Sequence, residues 1–155
     1  MEEYSEIEFK RIRKKCRSWF KGFSRSDFFS RLNIEQQEDA WSVIDFFAEY
    51  SYSHLGLTPE EWDEESLEEC CLEILPRKVS VEIEFFWLIA PVLHAFFLFL
   101  GETGKLENGL KLARRVEGLN DDIVRNAANP ENWGMAKSFV MRAMKKELIP
   151  RIKKR

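Results

Sequence analysis

The chain has 155 residues, 45% of them hydrophobic and 14% aromatic, with a formal net charge of -3. That length suits a single domain, and a domain of about 150 residues buries enough surface to hold a core without a metal or disulfide staple. Seven glycines and five prolines exclude a collagen-like or low-complexity chain, and the apolar content excludes wholesale disorder.

The first element is a helix over Glu6–Phe23. Ile7, Phe9, Ile12, Cys16, Trp19, Phe20 and Phe23 recur at three- to four-residue steps, with Lys10, Arg11, Arg13, Lys14, Lys15 and Arg17 mostly between them. This is the pattern of an amphipathic helix docked by one face. Ser26 and Asp27 start a short second helix. Asn33 is an N-cap, and Gly56 closes the helix that follows it, which carries Ile34, Trp41, Ile44, Phe47, Ala48 and Leu55 as its apolar stripe. Thr58-Pro59-Glu60-Glu61 is a helix start with capping-box spacing. The helix it opens runs to Leu75, with a break expected near Asp63 and a stop at Pro76.

Val79, Val81, Ile83 and Phe85 alternate with polar residues, as in a strand. No partner strand is evident, and a lone strand leaves its backbone unpaired, so the reading is helix from Ser80, with Ser80 as cap. Pro91 predicts a kink or break. Residues 85–100 lack a formal charge, but a spanning helix needs about 20 apolar residues. We read this run as a buried core helix and not as a membrane span. Further helices are expected around Leu106–Val116, at 121–128 and from Asn129-Pro130-Glu131 to about Leu148. In the last of these, Trp133, Ala136, Val140, Ala143, Met144 and Leu148 form the apolar stripe. The fold expected is all-α: one domain over residues 1–150, a bundle of six to eight helices, with a basic tail at 151–155.

Charge is strongly segregated. Residues 1–32 carry +4, residues 33–75 carry -13 with no Lys or Arg, and residues 130–155 carry +6. Either the basic ends pack beside the acidic middle, or they meet an external anion. Candidate anion or nucleic-acid contacts are Lys10, Arg11, Lys14, Lys15, Lys145 and Lys146. Lys137 joins them, because a lysine one turn into a helix start can hold an anion. Cys16 stands among cations that would lower its pKa. Three cysteines, two adjacent, do not make a disulfide framework, and the N-terminus shows no signal-peptide pattern, which points to the cytosol.

No glycine loop, zinc-ligand spacing or helical Glu-x-x-His pair suggests a cofactor or metal. No catalytic residue set can be assembled. His94, Trp133 and Lys137 are the nearest approach to one.

Residues 91–100 (PVLHAFFLFL) and 129–138 (NPENWGMAKS) together resemble an uncharacterised prokaryotic helical domain associated with SEC-C and transposon-passenger proteins. The likeness covers residues 60–145. It implies a helical fold, brings no catalytic residues, and the SEC-C zinc ligands are missing here. The function expected is a non-catalytic interaction module with a protein partner, self or other. The alternatives are a nucleic-acid-associated protein using the basic ends, and an enzyme near His94, Trp133 and Lys137.

Overall fold

A computed structural model describes residues 4–153, and the side chains through 145. The protein is all-α. Its helices are α1 (Glu6–Phe23), α2 (Asp27–Ser30), α3 (Ile34–Leu55), α4 (Glu64–Glu69), α5 (Leu75–Lys78), α6 (Ile83–Glu102), α7 (Gly109–Glu117), α8 (Asn120–Ala128) and α9 (Met135–Lys153). A π-turn at Cys70–Ile74 fuses α4 to α5. Taken as one, that stretch brings the described helices to eight, and no strand accompanies them.

The early caps form where the sequence places them. The Ser5 hydroxyl accepts from the Glu8 amide at 3.3 Å. Asn33 and Gln36 exchange side-chain and backbone bonds at 2.8 and 2.9 Å. Gly56 closes α3 at φ 69°, a left-handed conformation that costs glycine little. Thr58 does bond the Glu61 carboxylate, but Pro59–Glu61 is only a 3-10 turn. The helix restarts after Asp63, which caps it through the Ser66 amide at 2.8 Å.

Pro76 does not stop this helix. A proline lacks the N–H that would bond the carbonyl four residues back, here that of Leu72. The Asn126 side chain from α8 donates to that carbonyl at 3.0 Å, so the helix continues to Lys78. The start expected at Ser80 is also displaced. Residues 79–82 form a bend with neither helix nor strand, and α6 begins at Ile83 with Glu82 before it.

The helix α6 is the centre of the bundle, packed by α1, α2, α3, α7 and α8. It is long and apolar enough to cross a membrane by length and composition, yet Phe86, Ile89, Val92, Leu93, Phe96, Phe97 and Leu100 are enclosed by the other helices. It runs unbroken through Pro91. The carbonyl that loses its donor there belongs to Trp87, on a side of the helix where the indole is 53% exposed.

At the α6–α7 crossing, a Cβ on Gly109 would lie 2.6 Å from the Gly101 nitrogen, so only glycine permits this approach. Trp62, 1% exposed, is the buried hub. Its ring lies 4.9 Å from Phe47 and 6.1 Å from Phe97, with Trp19 edge-on at 6.4 Å. Trp41 and Trp133, expected as core anchors, are only half-buried.

The helix expected from Asn129 is a 3-10 turn at Pro130–Asn132, and α9 opens at Met135. Its backbone stays helical through Pro150 to Lys153, so the tail expected from residue 151 is helical as far as it is described. Residues 154 and 155, and the Lys146 side chain, lie outside the described residues. The apolar stripe assigned to this helix is divided: Trp133 and Met144 are half-buried, and the Leu148 side chain lies outside the described residues. Ala136, Val140 and Ala143 are exposed, and α9 makes its principal contact with α5.

Candidate functional site

The α5–α9 junction is built from two chain ends meeting. The last carbonyls of α5 lack helical donors, and the segment before α9 supplies them. The Gly134 amide donates to the Arg77 carbonyl at 3.0 Å. The Lys137 ammonium donates to the Pro76 carbonyl at 2.5 Å, a cation at the negative end of a helix dipole. It lies 4.7 Å from the Phe86 ring centre and 5.2 Å from that of Trp133. The Trp133 indole N–H is tied to the Ala127 carbonyl at 2.8 Å. Lys137 is 3% exposed, and burial brings its pKa down to about 8. The Lys137 ammonium, expected as an anion contact, thus faces a carbonyl and two rings, not solvent.

Anchoring α9 by Lys137 fixes which side points outward. Met141 and Met144 follow Lys137 on the inner side and are half-buried. The outer side carries Met135 at 90% exposure, Phe139 at 76% and Val140 at 40%, with Ala136 and Ala143 also exposed. At about 100° per residue these five fall within one arc of roughly 140°. Arg142 is exposed at its edge, and Lys145 is exposed farther round the helix on the same side. The helix is apolar on both sides over its first turns, so periodicity in the sequence could not say which side is buried. The signal that could have found the answer was the lysine within the inner stripe.

At the other end of the chain, α1 is partly neutralised. Arg13 grips Asp45 with two bonds of 2.9 and 2.7 Å, and Lys15 pairs with Glu60 while lying 5.3 Å from the Trp19 ring centre. Arg11 is 3.7 Å from Glu8. Lys10 and Lys14 remain exposed, in line with Arg17 and Lys21 at helical spacing. Arg17 stacks over Trp41 at 4.5 Å. The basic N-terminal helix therefore pairs in part with the acidic segment, whereas α9 packs elsewhere.

His94 and Lys137 do not converge. His94 donates to the Ala113 carbonyl at 2.9 Å and lies 3.7 Å from Glu117, both on α7. Lys137 meets α6 two turns earlier, at Phe86. Cys16 is not an activated thiol. It is fully buried, and burial pushes its pKa up to about 12, outweighing Lys15. Cys70 behaves alike, at about 12. Among the described residues no three His, Cys, Asp or Glu side chains gather as a metal site.

Comparison with protein-family models, curated proteins and solved structures finds no match to this chain.

Proposed function

We propose that the protein is a non-catalytic helical interaction module of the cytosol, and that it presents the outer face of α9 to a protein partner. One observation carries this reading: Met135, Phe139 and Val140 are solvent-facing on a helix that the rest of the fold holds at its margin. A contiguous exposed apolar patch with polar edges is the usual mark of an interaction surface. The unpaired, buried cysteines suit a reducing compartment. The likeness of residues 91–100 and 129–138 to a prokaryotic helical domain belongs to the same proposal.

A photo-crosslinking residue at position 139, compared with one at exposed Lys111 on α7, tests it in cells. The reading expects a defined protein, or a second copy, joined at 139 and not at 111. It also expects that binding to that partner, once purified, is lost with Phe139→Asp. Equal labelling at both positions refutes it.

A second reading has its own observation: Lys10, Lys14, Arg17 and Lys21 form an exposed line of cations on α1, a surface suited to phosphates. Fluorescence anisotropy on duplex DNA across a salt series tests it. Four phosphate contacts give a log–log salt slope of about -3.6. Lys10→Glu with Lys14→Glu should halve it. No binding at micromolar protein in the lowest salt removes this reading, together with the part assigned to Arg11, Lys15, Lys145 and Lys146.

A further inference from the structure

Resting on the α9 reading, we infer that the occupant of this face is a second copy of the same chain, docked head to tail on the acidic outer surface where α3 begins.

That surface is unusual in its own right. Ile34 opens α3 at 72% exposure, beside an open groove of about 680 Å3 floored in part by Leu32. Glu35, Glu38 and Asp39 are exposed around it. Three carboxylates of the acidic segment are paired within the chain: Asp45 with Arg13, Glu60 with Lys15 and Glu68 with Arg115. Glu35, Glu38 and Asp39 take part in none of these pairs. The start of α3 is thus an apolar side chain next to a groove, beside three exposed carboxylates that are in no ion pair among the described residues.

The outer face of α9 is its counterpart in both respects. Phe139 and Met135 are apolar and exposed, and Arg142 and Lys145 are exposed cations in no ion pair among the described residues. The spacing also corresponds. From Ile34 to Glu38 is four residues, and from Phe139 to Arg142 is three. Each step is about one helical turn, roughly 4.5–6 Å. With the two helices running in the same direction, Phe139 seated beside Ile34 brings Arg142 level with Glu38.

Both faces are exposed in the same chain, so one copy does not satisfy the other within itself. Docked head to tail, the contact is heterologous. Each copy added leaves one α9 and one α3 face free.

Sedimentation velocity on the full chain tests this. The expected result is a weight-average mass that rises with concentration. The association should weaken by about 10-fold or more between low salt and ~0.3 M salt, as screening of surface charges requires. Phe139→Asp, and separately Ile34→Lys with Glu38→Lys, should each abolish it, with helix content unchanged by circular dichroism. Mixed together, these two variants should form a 1:1 dimer and grow no further, because one retains the α3 face and the other the α9 face.

A wild type that stays monomeric at ~0.5 mM overturns the inference. The α9 reading is then judged by crosslinking alone. Association lost in Phe139→Asp but kept in the α3 variant also overturns it, while leaving α9 as the interacting element. Association indifferent to Phe139→Asp overturns both.

Discussion

Lys137 is the least expected buried side chain, and its protonation offers a test with a defined sign. In the folded protein its pKa is about 8; in the unfolded chain a lysine titrates near 10.4. Below pH 8 both states carry the proton, and the folded state bears the cost of enclosing a cation. Between about pH 8 and 10.4 the folded state has released the proton and the unfolded state has not. Stability therefore rises with pH across that window. The full difference would be worth about 3 kcal/mol at 1.36 kcal/mol per unit, and contact with the two rings, which favours the cation, brings the expected gain to about 1–3 kcal/mol.

Other groups titrate in the same window, so the quantity to measure is a difference: the urea-unfolding free energy of the wild type minus that of Lys137→Met, from pH 7 to 10. Methionine fills much of the same space and cannot titrate. The difference should climb in favour of the wild type as pH rises. A flat or falling difference would mean that Lys137 is hydrated, and that α9 is not seated on α5 as described.

Two further predictions concern packing. Trp62→Ala should cost about 3–5 kcal/mol in urea unfolding, the range for a large buried ring. Trp41→Ala and Trp133→Ala, at half-buried positions, should each cost clearly less; an equal loss at all three sites would contradict the placement of Trp62 as the hub. Asn126→Ala should cost about 1–3 kcal/mol by leaving the Leu72 carbonyl without a donor. Adding Pro76→Ala restores an N–H to that carbonyl, so the double variant should be more stable than Asn126→Ala alone. Simple additivity would show that the Asn126 bond is not what admits the proline.

The sequence was most informative where structure is set within a few residues. Asn33, Ser26 and Gly56 act as predicted because a cap needs only its own turn. Pro76 misled because the group that rescues its helix, Asn126, stands 54 residues away. The alternation at 79–85 looked like a strand and became a bend followed by a helix, as α6 starts only where its apolar face can enter the bundle. Trp62 was missed because it lies between two short helical pieces, outside any periodic stripe. The charge segregation was visible, but its outcome was split: α1 finds carboxylates on α3 and on the turn at Pro59–Glu61, and α9 finds a carbonyl on α5 and the rings of Phe86 on α6 and of Trp133 just before it. Of the candidate contacts, Lys10 and Lys14 are where an anion could reach them, whereas Lys137 is enclosed.

The central claim is that α9 turns an apolar face outward. The most direct measurement is the urea-unfolding free energy of Phe139→Asp at protein concentrations low enough to keep the chain monomeric. A side chain 76% exposed should tolerate the change within about 0.5 kcal/mol, as surface positions do. A loss of about 3 kcal/mol or more, the cost of removing a core phenylalanine, would place Phe139 inside the bundle and contradict the account.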